Sequence, residues 1–390
     1  MAPDVPEKVV IAGGGPVGLS FALAVADIAR LEVHVVESAA PCVHELPDGF
    51  DQRIYAISPG NRVFLESLGV WQEMPRERIA AVSAMRVWGD DRAYELHLQE
   101  REPLAYILEQ GALLNALWNK VREAGARIRV HAPAKPAHLS LHEDFATLIV
   151  EGGRKFDAEL VVGADGADSW IRQQAGLGVK AKSYDSFGVV ANFQCEHNHE
   201  GIARQWFTGD SVLAWLPLPG KRMSMVWSAG AARSAQLLAL SPALLAQTVR
   251  EAGDDSLGGL ECISAPARFP LRRILAESWV ANHVALMGDA AHTIHPLAGQ
   301  GVNLGFADAH LLAKILHSLC PLQSAGDRAV LRSYARERAE NTLALAILTD
   351  QLRSLFARPE KLVAGLRNAG IGLANRQSLL KRTLIRYAMQ

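Results

Sequence analysis

The sequence predicts an α/β protein that joins a Rossmann-like βαβ unit to a region of antiparallel strands. Three observations support this fold class. A glycine-rich turn near the amino terminus connects a short apolar strand to a helix-forming segment. Apolar and aromatic residues alternate between turn signals from about residue 182 to 270, which is typical of antiparallel strands. Apolar residues then recur at three- and four-residue spacing after residue 302, which indicates a helix.

Composition narrows the class of protein. A chain of 390 residues is long enough for two or three domains with a substantial core. Its 40 basic and 41 acidic residues nearly cancel, which argues against a nucleic acid partner. No apolar run reaches membrane-spanning length, and charged residues come too early for a secretory signal peptide. The 4 cysteines lack CxxC or disulfide-framework spacing, which predicts free thiols and a cytoplasmic protein.

A dinucleotide-binding unit is the first element along the chain. Its parts are a buried strand (8–12), Gly13, Gly15 and Gly18 in the spacing GxGxxG, a helix-forming segment (19–26), a second strand (32–36) and Glu37. The first glycine permits the turn, the second removes a side chain where phosphates approach, and the third lets helix and strand pack closely. The carboxylate after the second strand would accept hydrogen bonds from an adenosine ribose. An ordinary glycine-rich turn is the alternative.

A second glycine segment follows a buried strand at 159–164. Asp165 and Gly166 end that strand, and we expect the carboxylate of Asp165 to organise the turn. Ile171 and Arg172 follow shortly after it. Taken alone, this segment is also compatible with a simple strand-ending Asp-Gly turn.

The third glycine segment is the most specific of the three. A strand at 284–287 ends at Gly288 and Asp289, and the loop 295–301 opens a helix over about 302–318. The free N–H groups and the positive dipole end of that helix would face a group that carries negative charge. The segment therefore predicts a site for an anionic or electron-rich ligand at the start of a helix.

In this order, the three segments resemble the FAD-contacting motifs of the flavin-dependent aromatic hydroxylases, class A flavoprotein monooxygenases with the p-hydroxybenzoate hydroxylase fold. The third, Gly-Asp-Ala-Ala-His-Thr-Ile-His-Pro-Leu-Ala-Gly-Gln-Gly, is similar nearly letter for letter to that of the ubiquinone-biosynthesis hydroxylases. The resemblance implies a Rossmann-like FAD-binding domain of three layers, an inserted antiparallel β-sheet substrate domain and a helical C-terminal region. The FAD-binding domain would comprise residues 1–75, 101–181 and 271–340. The substrate domain would comprise residues 76–100 and 182–270, and the helical C-terminal region would comprise residues 341–390.

The same resemblance implies which residues contact the cofactor. Asp289 would bind the ribityl chain, and Arg53 would lie against the flavin or its pyrophosphate. A salt bridge from Arg53 to Asp51 is the alternative. The residues predicted to bind FAD are Gly13, Gly15, Gly18, Glu37, Arg53, Gln110, Asp165, Gly166, Gly288, Asp289, Gly299, Gly301 and Asn303.

The loop before the long helix would carry the catalytic groups. Pro296 would lie beside the isoalloxazine ring, and the glycine-rich backbone after it would stabilise the negative charge of reduced flavin. A hydrogen-bonding or substrate-orienting role is the hypothesis for His295. His292 and His295 also have a spacing that metal ligands use, but no third His or Cys completes a recognised pattern, so we expect no metal. The predicted catalytic residues are His295, Pro296, Gly299, Gln300 and Gly301.

The implied activity is that of an FAD-dependent monooxygenase. NAD(P)H would reduce FAD, O2 would form a C4a-hydroperoxyflavin, and its distal oxygen would attack the aromatic ring of a polyprenylphenol in ubiquinone biosynthesis. Only one GxGxxG unit follows a strand, so NADPH or NADH would have no domain of its own. A hydroxylase of another small aromatic compound and an FAD-binding scaffold without turnover are the alternatives. A halogenase or prenyl reductase would share the fold, but the halogenase signature Trp-x-Trp-x-Ile is absent.

Aromatic residues of the antiparallel region are candidates for a substrate pocket. Trp206, Phe207, Trp215 and Leu216 could form a wall over the flavin ring and keep water out. Packing in the hydrophobic core is the alternative for each of them.

The last thirty residues predict a basic amphipathic helix, since they contain six basic residues and no acidic one. An anionic membrane surface or a ubiquinone-biosynthesis protein complex would suit such a helix, and packing on its own protein is the alternative. We therefore expect a cytoplasmic protein with peripheral contact to the inner face of the membrane, and homo-oligomerisation stays open. The basic residues are Lys361, Arg367, Arg376, Lys381, Arg382 and Arg386, and the apolar face comprises Leu373, Leu380, Leu384 and Tyr387.

Overall fold

The computed structural model describes residues 6–41, 46, 48–89, 91–209, 211–294, 301–340 and 342. Its first strands are β1 (Glu7–Ala12), β2 (Leu31–Val36), β3 (Ile54–Ile57), β4 (Ala80–Val82), β5 (Ala84–Trp88), β6 (Glu95–Gln99), β7 (Ala105–Glu109), β8 (Ile128–His131), β9 (Pro136–Leu141), β10 (Ala146–Val150), β11 (Lys155–Ala158) and β12 (Leu160–Gly163). The later strands are β13 (Val179–Cys195), β14 (Ile202–Thr208), β15 (Ser211–Leu218), β16 (Arg222–Gly230), β17 (Leu260–Cys262), β18 (Ala267–Ala276), β19 (Val280–Ala281), β20 (Val284–Leu286) and β21 (His292–Thr293). The helices are α1 (Pro16–Val25), α2 (Pro59–Ser67), α3 (Val70–Glu73), α4 (Gln110–Ala124), α5 (Trp170–Gln174), α6 (Ala231–Ala239), α7 (Pro242–Ala252) and α8 (Gly301–His317), and residues 328–340 are also helical.

A mainly parallel sheet forms the centre of the Rossmann-like unit, with the strand order β19-β20-β12-β1-β2-β8. Val9, Val10, Ile11 and Ala12 are fully buried because β1 lies inside this sheet and both of its faces are covered. Helices α1, α4 and α8 pack together on one face, and the antiparallel meander β9-β10-β11 covers the other. The three layers predicted for this domain are therefore confirmed.

A large, mainly antiparallel sheet forms the second unit, with the strand order β21-β18-β13-β16-β15-β14-β5-β6, with β14 and β5 parallel and with β17 paired to β13. One face of this sheet packs beneath α6 and α7, where Trp206 and Trp215 join a core that includes Leu245. The opposite face packs against the small sheet β3-β7-β4, and Leu218 shares a core there with Ile107. This sheet is the inserted β-sheet region that the sequence predicted.

The small sheet connects the two larger ones. Ile107 of β7 belongs to the core shared with the large sheet, whereas its neighbour Leu108 belongs to the core of the parallel sheet. Successive side chains of a strand point to opposite faces, so β7 can contribute to both cores. Nδ2 of Asn192 on β13 also donates hydrogen bonds to O of Phe50 and to O of Asp51, each 3.0 Å long. The start of β3 is therefore fixed by the large sheet.

The predicted elements agree with the observed ones except at their ends. Helix α1 begins at Pro16, three residues before the predicted start, because proline fits the first turn of a helix. The predicted domain boundaries at 181/182 and 270/271 fall inside β13 and β18, which run through them without a break. The division into domains thus remains a prediction. The predicted C-terminal region at 341–390 lies outside the described residues apart from residue 342. None of the described helices is long and apolar enough to cross a membrane.

Candidate functional site

The turn between β1 and α1 requires glycine at two positions for steric reasons. A Cβ atom on Gly13, whose φ is +117°, would lie 2.3 Å from O of Ala164. A Cβ atom on Gly18 would lie 2.1 Å from O of Gly13. On Gly15, by contrast, a Cβ atom would meet no described residue within 4 Å. The turn is therefore closely packed on the protein side and open where a pyrophosphate would approach.

Gly14 is a functional position that the sequence interpretation did not single out. Its N donates a hydrogen bond to Oε2 of Glu37 (2.6 Å), and a Cβ atom there would lie 2.7 Å from Cζ2 of Trp118. Oε1 of Glu37 accepts a second hydrogen bond from N of Ala39 (2.8 Å). The carboxylate is thereby fixed at the end of β2 and keeps lone pairs for the ribose hydroxyls predicted to bind there. The run of three consecutive glycines was the signal for this position.

Asp165 organises the second turn, as the sequence predicted. Its carboxylate accepts hydrogen bonds from Oγ of Ser169 and from N of Ile171 (2.9 Å). The buried side chain of Arg172 donates from Nη1 to O of Ala290 (2.8 Å). Because residue 290 belongs to the third segment, Arg172 joins the second and third turns directly.

The first two turns share one cavity of about 410 Å³. Gly166 has a φ of +85°, and a Cβ atom there would meet no described residue within 4 Å. Lys135 and Trp170 also line this cavity, and the sequence interpretation did not include them. A further cavity of about 440 Å³ lies between α1, α2, α4 and α8, and its lining contains no predicted site residue. The shared cavity is lined by Ala12, Gly13, Gly15, Val36, Glu37, Ser38, Lys135, Pro136, Ala164, Asp165, Gly166, Asp168 and Trp170.

The third turn places Asp289 among cationic groups. It forms a short 3-10 turn at Gly288–Ala290 directly after β20, and Gly288 has a φ of +59°. Burial raises the pKa of the Asp289 carboxyl, while the charges of His292, Arg53 and Arg272 act in the opposite direction. The carboxyl group is thus half-buried and close to positive charge, which suits hydrogen bonding to the hydroxyls of a ribityl chain.

Tyr55 brings three of the predicted residues together and was not predicted itself. Its Oη donates a hydrogen bond to Oε1 of Gln110 (2.8 Å), and Cζ of Arg53 lies 6.0 Å from its ring centroid. Burial raises the pKa of the Tyr55 hydroxyl; nearby Arg53 lowers it, and Asp289 raises it further. Tyr55 therefore has Arg53 near its ring and has Gln110 and Asp289 acting on its hydroxyl. Its place two residues after Arg53 was the available signal.

Two residues of the predicted region have well-defined protein partners. The side chain of Asn303 accepts a hydrogen bond from N of Ser58 (3.0 Å) and donates one to O of Ala56 (2.8 Å). It thus holds the first turn of α8 against the end of β3, and its contact with the cofactor stays a prediction. Oδ2 of Asp51 accepts a hydrogen bond from N of Gly111 (3.2 Å), and the alternative ion pair between Asp51 and Arg53 is not formed.

The predicted catalytic loop is only partly described. His295, Pro296, Gly299 and Gln300 lie outside the described residues, so their roles stay predictions. Gly301 is the first residue of α8, and a Cβ atom there would meet no described residue within 4 Å. Gly301 therefore leaves space at the amino end of α8 among the described residues, and the charge-stabilising role of this end stays a prediction.

His292 has a protein carboxylate as its partner. It is fully buried, and its Nε2 lies 2.6 Å from Oδ2 of Asp308. Over the described part of the chain, no group of three His, Cys, Asp or Glu side chains is arranged to hold a metal ion. The hydrogen bond to Asp308 accounts for His292 without a metal.

Two of the four aromatic-region candidates are not pocket residues. Trp206 stacks on Trp88 with ring centroids 5.1 Å apart, and its ring meets the edge of Trp215 at 4.8 Å. Both tryptophans lie in the core beneath α6 and α7, on the face of the large sheet that points away from the small sheet. Leu216 packs on the opposite face, and Phe207 lies outside the tryptophan core. Core packing is thus the correct interpretation for Trp206 and Trp215.

The residues present fit FAD. The family described as FAD binding domain matches residues 7–346. The 3-demethoxyubiquinol 3-hydroxylase of Escherichia coli (strain K12) is 34% identical to this chain over 98% of both proteins. The chain belongs to the FAD-dependent ubiquinone-biosynthesis hydroxylases. The ubiquinone hydroxylase UbiL of Rhodospirillum rubrum is 33% identical to this hydroxylase, and the match covers 99% of this chain and 90% of UbiL.

A solved structure of low sequence identity agrees with the fold of the hydroxylase. The p-nitrophenol 4-monooxygenase PnpA from Pseudomonas putida DLL-E4 superposes with a TM-score of 0.77 at 20% identity, over 99% of this chain and 98% of that one. The predicted family and fold class are therefore confirmed. FAD is the cofactor of this hydroxylase, with NAD(P)H as electron donor and O2 as co-substrate.

Proposed function

We propose that this protein is an FAD-dependent monooxygenase that hydroxylates the aromatic ring of a polyprenylphenol in ubiquinone biosynthesis. The observation that carries the proposal is the assembly of three distant glycine turns around one cofactor site. Arg172 joins the second turn to the third, and the first two turns line the same cavity. The relatives that match over nearly the whole chain are named hydroxylases, which favours turnover over an FAD-binding scaffold.

The protein contributes binding and charge placement to this reaction. Bound FAD supplies electron transfer from NAD(P)H and the activation of O2. Glu37 holds the adenosine ribose, the open side of Gly15 admits the pyrophosphate, and Asp289 holds the ribityl chain. The amino end of α8 presents unpaired N–H groups to the electron-rich end of the flavin. His295, Pro296, Gly299, Gln300 and Gly301 complete the proposed catalytic loop.

The large sheet supports the site by excluding water. Its face with Leu216 and Leu218 packs towards the small sheet, which carries Tyr55 and follows directly after Arg53. Its other face is fixed by the tryptophan core beneath α6 and α7. A rigid apolar wall of this kind protects a reactive oxygenated cofactor from water and leaves room for an aromatic ring.

The preferred substrate is a quinol of the demethoxyubiquinol type. The Escherichia coli relative is named for 3-demethoxyubiquinol, and it covers nearly the whole chain. The Rhodospirillum rubrum relative, named a ubiquinone hydroxylase, has nearly the same identity, so earlier polyprenylphenols of the same route are the competing substrates.

The test is the anaerobic reduction of the bound flavin by NADPH and by NADH, with and without a short-chain demethoxyubiquinol. We expect the quinol to accelerate flavin reduction and, after admission of ¹⁸O2, to gain one labelled oxygen atom. A simple phenol without a prenyl tail is the matched control. If neither quinol nor polyprenylphenol changes the reduction rate or gains oxygen, the proposed substrate is wrong. The FAD site itself would then still be measured by the flavin spectrum.

A lipid-tailed substrate also supports peripheral contact with the inner face of the membrane through the basic carboxyl-terminal residues. The measurement is binding to anionic vesicles before and after removal of residues 376–390. Equal binding by both proteins would rule out membrane contact through these residues. Co-purification would then test whether they contact a ubiquinone-biosynthesis protein complex instead. Homo-oligomerisation is tested in the same preparations by light scattering.

A further inference from the structure

A buried charge network ties the third turn to two helices. Asp308 of α8 is completely buried, and its Oδ2 accepts hydrogen bonds from Nε2 of His292 (2.6 Å) and from N of Gly288 (2.9 Å). Its Oδ1 accepts a hydrogen bond from Nε of Arg338 (2.6 Å), which lies on the helix at 328–340. We call His292, Asp308 and Arg338 the Asp308 network. One carboxylate therefore holds three separate parts of the chain.

The Asp308 network contains a buried ion pair between Asp308 and Arg338, and breaking it leaves one buried charge without its partner. Burial alone would raise the pKa of Asp308, but His292, Arg338 and the N–H of Gly288 together hold it below its usual value. Arg338 also donates from Nη2 to O of Leu304 (3.2 Å), so both charges have hydrogen-bond partners. Removing one member would leave a buried, unpaired charge, which is far more costly than removing both.

The same two helices also fix the turn sterically. A Cβ atom on Gly305 of α8 would lie 3.2 Å from Cα of Gly288 and 2.4 Å from Cγ2 of Val17. Oη of Tyr334, from the helix at 328–340, donates to O of Leu286 at the end of β20 (2.8 Å). The turn that carries Asp289 thus rests on α8 from one side and is held by the carboxyl-terminal helix from the other.

We propose that Asp308 is a positioning residue for FAD, which fixes the Gly288–Asp289 turn through N of Gly288 and through His292, and which makes FAD binding depend on Arg338 of the helix at 328–340. The network is sealed from solvent, so it acts on FAD through the turn and through its charge, and it does not touch the substrate. The proposal concerns the cofactor alone. It therefore stands or falls independently of the substrate named above.

Three variants of the network, Asp308→Asn, Arg338→Met and the double variant, test the proposal. We expect each single variant to raise the Kd of the apoprotein for FAD by about tenfold, the scale on which residues without ligand contact alter a coupled site. The double variant should bind FAD better than Arg338→Met, because it removes both charges of the ion pair between Asp308 and Arg338. Removing the buried anion should make the flavin midpoint potential more positive, and removing the cation should make it more negative.

A conservative variant and a surface control separate positioning from folding. Among the described residues, Nε2 is the only ring nitrogen of His292 with a hydrogen-bond partner. His292→Gln, which keeps one N–H donor, should therefore bind FAD nearly as the wild type does, whereas His292→Leu should not. Arg336→Met removes an exposed cation from the same helix and should change neither the Kd nor the potential. The proposal is overturned if the network variants keep the wild-type Kd and midpoint potential, even if they lower the Tm of the apoprotein. If Asp308→Asn does not fold, the two His292 variants decide the question.

Discussion

At the scale of single residues, the glycines of the first turn differ in what a methyl group would meet. Gly18→Ala would place Cβ 2.1 Å from O of Gly13, so the backbone must shift, and we expect a loss of about 1–3 kcal/mol of apoprotein stability. Gly15→Ala enters open space at a φ of −79°, which alanine adopts readily. This variant should keep the apoprotein stability within about 0.5 kcal/mol and lose FAD affinity. Urea unfolding and FAD titration measure the two effects. Unchanged FAD affinity in Gly15→Ala would contradict the placement of the pyrophosphate.

Trp206 and Leu216 lie on opposite faces of the large sheet, and their truncation should have different consequences. Trp206→Ala removes the stack on Trp88 and should cost about 3–5 kcal/mol of stability, with little change in the KM for the aromatic substrate. Leu216→Ala, on the face towards the small sheet, should destabilise less and raise that KM. Thermal unfolding and steady-state kinetics on both variants test this. A raised KM in Trp206→Ala alone would reverse the assignment of the faces.

Single residues were predictable where their partners are close in sequence. Asp165 binds Ser169 and Ile171, so its turn could be inferred from the local pattern. Asn303 binds Ser58, some 245 residues away, and no local pattern indicates that partner. Likewise, both faces of the large sheet are apolar, so alternation alone could not tell whether Trp206 faces the flavin or the helices.

At the scale of elements, two histidines link the neighbouring strands β2 and β8. Nη1 of Arg154 lies 2.9 Å from Nδ1 of His131 and must donate to it, since a guanidinium has no acceptor. Nε2 of His131 therefore carries the proton and donates to Nδ1 of His34 (2.9 Å). The rings are stacked with centroids 5.1 Å apart. This arrangement requires both imidazoles to be neutral.

The pair predicts a loss of stability in mild acid. Burial, with the charges of His34, Arg154 and Arg129, lowers the pKa of His131 from 6.5 to about 4. The unfolded chain binds this proton at a higher pH than the folded chain does. The contribution of neutral His131 to the free energy of unfolding is therefore fully present above about pH 6.5 and is lost as the pH drops towards 4. His131→Gln cannot bind the proton and should lose less Tm between pH 7 and pH 5. Identical pH profiles of Tm for the two proteins would show that His131 does not contribute.

Elements with their own periodicity were predicted from the sequence, and elements defined by distant pairing were not. The strand β1 and the helix α8 are found where the apolar pattern placed them. Strand β13 pairs with β16, β17 and β18 and shifts register between Ser183 and Ser186. Its length depends on these partners, so the predicted domain boundary at 181/182 was drawn through the first residues of a continuous strand.

At the scale of the whole molecule, cofactor binding and the large sheet should be thermodynamically linked. The small sheet shares side chains with both larger cores, and Asn192 holds the start of β3. FAD at 100 times its Kd should therefore stabilise the protein by about 2.7 kcal/mol. Hydrogen exchange of the β15 and β16 amides reports on the large sheet, and hydrogen exchange of the β1 and β12 amides reports on the parallel sheet. Both sets of amides should gain protection when FAD binds. Protection gained by the β1 and β12 amides alone would mean that the two sheets unfold separately.

The strand order of the parallel sheet also determines when the cofactor site can form during translation. The third turn, at Gly288, is translated some 270 residues after Gly18, and β20 must still pair beside β12. At about 5–20 residues per second, roughly 15–50 s separate the emergence of these two turns. During that interval a nascent chain exposes the open side of β12 and the apolar surface that α8 later covers. FAD can thus bind only to a nearly complete polypeptide. Release from the ribosome, and the chaperones present there, are therefore part of how this enzyme acquires its flavin.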